Sequence, residues 1–276
     1  MYTEDHELIF SDTQVASLRM FIAAVVLFPF ALRAIRRIES MKEFLLLAIV
    51  GTCGNFFPAF LFTYAETGLS SGFAGMLNSF TPIFALVIGF AVFHERLTRL
   101  QMLGVLIGTV GVVLLMVAGK NLSMTGGWGH IIAIIIATLC YAISLNTIKY
   151  TMQKFKSFEI TSLSFLIILL PSAFIAWQQG AIETMQTNEY AMDGMVYLIV
   201  LSIVGTAFAV IVFNKLVTIS SVLFASSVTY LIPIFAVVIG LSFGEHISAA
   251  QVGAMGVVFA GIFTANVVSK FKKKVV

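Results

Sequence analysis

Charge is scarce in this 276-residue chain: 11% of residues are Asp, Glu, Lys or Arg, against about 25% in an average soluble domain. Hydrophobic residues make up 59%, and the mean hydropathy is +1.03. That much apolar surface excludes an ordinary soluble domain, a disordered chain, a secreted disulfide scaffold and a nucleic-acid binder. Cysteine is almost missing. Cys53 and Cys140 lie inside apolar runs and read as small buried hydrophobes, so neither a disulfide framework nor a metal site is expected. The aspartates, Asp5, Asp12 and Asp193, all fall outside the apolar runs, which counts against an intramembrane aspartyl protease. There is no P-loop, so no ATP-driven step and no cofactor is expected. Gly68-Leu69-Ser70-Ser71-Gly72 has the form G-x-S-x-G, but it opens an apolar helix, whereas a nucleophile elbow needs a strand-turn-helix context with a His and an acid. The chain does not read as an enzyme.

What the chain has is long apolar runs. A membrane-crossing helix needs about 20 mostly apolar residues, and nine stretches qualify, at 14–32, 44–64, 69–93, 101–119, 127–148, 160–177, 194–213, 219–243 and 251–269. Ten-residue blocks of period-2 alternation are missing, which excludes a membrane barrel and leaves an all-α bundle. All five prolines, Pro29, Pro58, Pro82, Pro171 and Pro233, fall within these runs. They predict kinks or broken helices whose freed carbonyls face protein or a wet cavity.

Lys and Arg concentrate in alternate connections: Arg33, Arg36, Arg37 and Lys42; Arg96 and Arg99; Lys149, Lys154 and Lys156; Lys215; and the tail from Lys270 to Lys274. The positive-inside rule then puts the C-terminus in the cytoplasm and the N-terminus of this chain outside. No signal peptide is there to carry the N-terminus across, so an upstream helix is expected to be absent from the chain.

An internal repeat organises the rest. Pro82-Ile83-Phe84-Ala85-Leu86-Val87-Ile88-Gly89 recurs as Pro233-Ile234-Phe235-Ala236-Val237-Val238-Ile239-Gly240. Glu95 and Gln101 recur as Glu245 and Gln251, Gly111 as Gly261, Ser70-Ser71 as Ser220-Ser221, and Val50-Gly51-Thr52 as Val204-Gly205-Thr206. The expected units are 1–120, with four helices, and 121–276, with five. By the charge pattern the Glu95 loop is cytoplasmic and the Glu245 loop outside, so the copies cross the membrane in opposite senses. Secondary transporters commonly use such inverted repeats, with substrate held near the midplane.

On these residues the chain resembles the EamA type of the drug/metabolite transporter superfamily. That family's repeat ends in Pro, an apolar helix, a Glu, a Gln and a Gly-bearing last helix. The resemblance implies ten helices as five plus five, both termini cytoplasmic, a bacterial cytoplasmic (inner) membrane, and a central cavity used to export amino acids or other small metabolites by alternating access. Nine helices here depart from ten. The segment from Phe10 to Arg19 looks like the start of the family's second helix, so the first helix is the piece expected to be missing. A transport-inactive membrane scaffold or partner subunit is the alternative. The expected partners are a small-molecule substrate and the lipid bilayer, with no nucleic acid and with a homodimer open.

Individual residues divide between structure and site. Thr98 with Gln101, and Ser248 with Gln251, have capping-box spacing. Glu95 and Glu245 sit between helices, where a carboxylate suits the next helix's positive N-terminus; proton coupling is the other reading. Arg19 is the basic residue inside a span, and two readings stand: it snorkels to the outer interface, or it faces the cavity and meets an anionic group. Asn78 and Thr81 precede Pro82, and Thr229 and Tyr230 precede Pro233, beside carbonyls that the prolines free. With Arg19 and Tyr141 they form the expected cavity lining. For each, a helix-to-helix hydrogen bond is the competing role. Phe56, Phe57, Phe60, Phe62, Phe80 and Phe84 can wall a cavity or simply pack. Gly104-x-x-x-Gly108 permits close helix approach, within the protomer or across a dimer.

Overall fold

The computed structural model describes residues 9–119, 125–242 and 248–272, and it is helical throughout. In chain order the helices are α1 (Asp12–Ala34), α2 (Met41–Gly51), α3 (Phe57–Glu66), α4 (Ser71–Asn78), α5 (Thr81–Phe93), α6 (Arg99–Gly119), α7 (Trp128–Thr151), α8 (Ser157–Gln178), α9 (Ala181–Thr187), α10 (Ala191–Ser202), α11 (Ala209–Ile219), α12 (Val222–Ser226), α13 (Leu231–Ser242) and α14 (Ala249–Lys272). A π-helical segment, Thr52–Phe56, joins α2 to α3, and a second, Ile203–Phe208, joins α10 to α11. With these joins, eight helices among the described residues are long and apolar enough to cross a bilayer.

The ninth expected run, 219–243, appears as α12, a 3-10 turn (Ser227–Tyr230) and α13, which together run from Val222 to Ser242. The hydroxyl groups explain the break. Ser226 and Ser227 each donate to Leu223 O (3.0 and 2.7 Å), and Thr229 donates to Ser226 O (2.8 Å). Such short-range bonds compete with the helical ladder, and Pro233 removes the N–H that would have reached Thr229 O.

The chain folds as two compact units that interleave in sequence. The first takes Met1–Tyr64 and Ile143–Ile219; the second takes Ala65–Ala142 and Ser220–Val276. Each therefore draws on both sequence repeats.

In the first unit α1 turns Ala16, Met20, Ala23, Ala24 and Leu27 to one side, the spacing of a single helical face. That face packs on Phe165 and Ile168 of α8, on Ala59 and on Ala207, with Phe56 and Phe60 beside it. The small residues let α1 and α8 approach closely, as membrane helices do when no hydrophobic effect drives them together.

The second unit is built on α6 and α14. A methyl group added at Gly104 would strike the backbone of Ala265, one at Gly261 the backbone of Gly108, and one at Gly111 would lie 2.6 Å from Val258 N. The Gly104-x-x-x-Gly108 face is thus occupied within the unit. The far side of α6 carries exposed Leu103, Leu106, Val110, Leu114 and Val117, an apolar stripe suited to hydrocarbon.

Candidate substrate-handling site

Arg19 is placed by its own helix. Ser11 caps α1: its hydroxyl accepts from Gln14 N (3.2 Å), and Gln14 Oε1 accepts in return from Ser11 N (3.0 Å). Gln14 Nε2 also donates to Gln179 O (2.8 Å) and Thr184 Oγ1 (2.9 Å), which fastens the start of α1 to the α8–α9 corner. Arg19 lies seven residues beyond Asp12, about 10 Å along the axis at 1.5 Å per residue. Half-buried there, its Nε donates to Thr206 Oγ1 at 2.9 Å. Thr206 is 2% exposed and belongs to the second π segment. Its own hydroxyl proton goes to Leu201 O, five residues back, at 3.3 Å. A guanidinium has five N–H donors, and among the described residues only the one on Nε has a hydrogen-bond acceptor. The ion pairs of the described residues do not include Arg19.

The other expected lining residues all lie in the second unit, and none is brought to Arg19 within one unit. Asn78 and Thr81 are buried together at the break between α4 and α5. Thr81 Oγ1 donates to Asn78 O (2.7 Å) and approaches Asn78 Oδ1 (3.2 Å). Asn78 O is the carbonyl that Pro82 cannot reach, so the hydroxyl substitutes for the missing N–H. Pro82 sits in the first turn of α5, where its ring is tolerated. At the matching break Thr229 is half-buried, with its hydroxyl turned back to Ser226 O. Tyr230 is fully buried. Its hydroxyl donates to Val105 O (3.0 Å) and shares a hydrogen bond with Thr109 Oγ1 (3.0 Å), while its ring fills the space over Gly108. In this conformation Tyr230 is a peg joining the 3-10 turn to α6. Tyr141 is half-buried on α7.

Reciprocal hydrogen bonds close two helix starts. Thr98 N donates to Gln101 Oε1 (2.9 Å) and Gln101 N to Thr98 Oγ1 (3.2 Å); Ser248 and Gln251 repeat the pair at 2.8 and 3.2 Å. Glu95 follows His94, whose left-handed backbone (φ 56°) ends α5, and Glu95 N bonds Gly89 O at 2.9 Å. Glu245 lies outside the described residues.

Several groups gave no sequence signal of their own. Thr206 was visible only as part of a repeat match, and a π segment has no composition signature. A charged cluster also forms at one end of the first unit: Arg37 pairs with Glu159 at 2.6 Å, and Lys154 with Glu39 (2.9 Å) and Glu43 (3.0 Å). The hydrogen bonds to Glu39 and then Glu43 hold the Lys154 ammonium above the usual lysine range. Nearby, a cleft of about 150 Å³ is lined by Ile148, Lys149, Gln153, Phe155 and Thr218, with Lys149 Nζ donating to Thr218 O (3.1 Å). Among the described residues no three His, Cys, Asp or Glu side chains converge as metal ligands.

The model of the EamA-like transporter family matches this chain twice, at residues 9–117 and 128–267. The chain belongs to the EamA-like transporter family. It is a transmembrane protein of the drug/metabolite transporter superfamily, whose members are transporters and not enzymes. Among its relatives is the "Uncharacterized transporter in sor 3'region" of Acidianus ambivalens, 24% identical over 258 residues, covering 93% of this chain and 94% of that protein. The "Uncharacterized inner membrane transporter YedA" of Escherichia coli strain K12 is 25% identical over 248 residues, covering 88% and 78%. A solved crystal structure superposes with a TM-score of 0.68 at 16% identity, covering 95% of this chain and 89% of that one, a likeness of fold.

Proposed function

We propose that this EamA-family protein is a secondary exporter of a small metabolite or amino acid in the cytoplasmic membrane, working by alternating access. The observation that carries the reading is the double family match on two sequence copies, joined to an intramembrane arginine held by a buried threonine. The repeat, with its copies in opposite senses, supports an exchange of inward and outward states by rocking. The compact units, each assembled from both copies, are natural bodies for that motion. The C-terminus is cytoplasmic, and so is the Arg37, Lys154 and Glu159 cluster, because these connections hold most of the Lys and Arg.

Within this reading Arg19 is the substrate-facing group. Asn78, Thr81, Thr229 and the two prolines serve the broken helices as hinges, Tyr141 is kept as a lining residue, and Tyr230 locks one break to α6. The test compares cells expressing the chain with cells expressing Arg19→Ala at equal membrane abundance. Untargeted mass spectrometry of the medium should find one or a few metabolites enriched by the native chain and lost with the variant. Equal media from native, variant and empty-vector cells would overturn the proposal.

A further inference from the structure

The charge at Arg19 is only partly answered by the protein. A guanidinium in a membrane-crossing segment is costly unless it is paired, and among the described residues no carboxylate pairs with it. Snorkelling does not account for the geometry. A side chain that merely reached for the interface would not need a buried acceptor on its Nε, yet Thr206, 2% exposed, takes that N–H at 2.9 Å. The threonine is itself polarised. Its proton is committed to Leu201 O, so its oxygen offers Arg19 lone pairs only. The π segment makes this possible by carrying Thr206 on a widened turn against α1, where neighbouring Ala207 packs in the same apolar cluster as Met20 and Ala23. Fixing Nε fixes the plane of the guanidinium and leaves its two terminal nitrogens as a fork. Such a fork matches a carboxylate or a phosphate with two parallel hydrogen bonds, which a point charge such as lysine does not reproduce.

We infer that the terminal nitrogens of Arg19 receive an anionic oxygen group, a carboxylate or phosphate, of the transported molecule, and that Thr206 is the positioning residue that aims them. The inference rests on the transporter reading and narrows its substrate to anions and zwitterions. Neutral and purely cationic molecules would leave the fork unanswered. The same oxyanion chemistry occurs in lipid headgroups, so the experiment separates the two sources.

The full chain in neutral detergent is treated with p-hydroxyphenylglyoxal, which modifies accessible guanidinium groups, and the adduct at Arg19 is measured by peptide mass spectrometry. Exposed Arg33 and Arg36 serve as internal references. At constant ionic strength, phenylacetate or inorganic phosphate should lower the Arg19 adduct several-fold and leave the references unchanged, whereas phenylacetamide should not protect. Thr206→Val should weaken protection roughly tenfold, the scale of one lost charge-assisted hydrogen bond. Thr206→Ser should restore it, with thermal unfolding confirming that each variant is folded. Failure of every soluble anion to protect, protection by phosphatidylglycerol alone, or equal protection in Thr206→Val would each overturn the inference. The readout needs no flux: protection without efflux would fault only the transporter reading, and Arg19-dependent efflux without protection would fault only this one.

Discussion

The two compact units solve the same problem, packing apolar helices where water supplies no drive, with a different balance of means. The second unit does it with missing atoms: Gly104, Gly108, Gly111 and Gly261 let the α6 and α14 backbones meet directly, and Tyr230 pegs a broken helix to the pair. The first unit adds hydrogen bonds to its small-residue contacts. Arg19 to Thr206, Asn214 Nδ2 to Thr161 Oγ1 (2.9 Å) and Lys149 to Thr218 O cross between helices, and both π segments lie there. Close backbone packing tolerates little movement, because added volume has nowhere to go. Polar bonds can be exchanged. The contrast assigns rigidity to the α6–α14 pair of the second unit and adjustable chemistry to the first.

The sharpest way to break this comparison is to remove the widened turn. Deleting Gly205 should return 203–208 to an α-helical path, which removes the five-residue reach from Thr206 to Leu201 O and with it the placing of Thr206 on Arg19. Efflux should vanish, and trypsin should cut the first unit faster while α6 and α14 stay protected. Next in size, Gly261→Leu should cost about 3 kcal/mol or more by overpacking the α6–α14 contact, read as a large fall in the unfolding midpoint in detergent. An equal fall for Gly253→Leu, where an added Cβ meets nothing within 4 Å, would contradict the claim that the contact itself matters. Tyr230→Phe keeps the ring over Gly108 but leaves Val105 O and Thr109 without their partner, a loss of about 1–2 kcal/mol.

The smallest effect belongs to the charged cluster. Arg37 is 41% exposed and Glu159 18%, so Arg37→Ala should shift stability by less than ~1 kcal/mol, and less still in high salt. Lys154 offers a check by pH. Its value is raised on folding, so its contribution is complete below the ordinary lysine value and is lost only as pH climbs through the raised one. Midpoints measured between about pH 6 and 9 should therefore be insensitive to Lys154→Met beyond a constant offset.

Much of this could be seen in the sequence because its signals are local. Helices announce themselves by apolar length, caps by Ser or Thr three residues before Gln, and helix breaks by Pro82 and Pro233. The 3-10 turn inside the run at 219–243 was harder to see, since Ser226, Ser227 and Thr229 look harmless in a hydropathy sum while each offers the backbone a rival bond. The bond between Arg19 and Thr206 was out of reach for a different reason. It joins positions 187 apart, through a π turn that depends on how two helices meet. The interleaving of the units was hidden in the same way, because a repeat reveals common ancestry of segments and not which segments pack together.

That interleaving has a consequence for how the protein is made. Helix α6 leaves the ribosome well before α14, and at roughly 5–20 residues per second the interval is on the order of ten seconds. Throughout it the glycine face of α6 has no permanent cover in the bilayer. Chains stopped before Ala249 would keep that face open and should be preferred clients of the membrane's quality-control proteases. The later-made helix of the pair, α14, is thus the one that decides whether the second unit is finished at all.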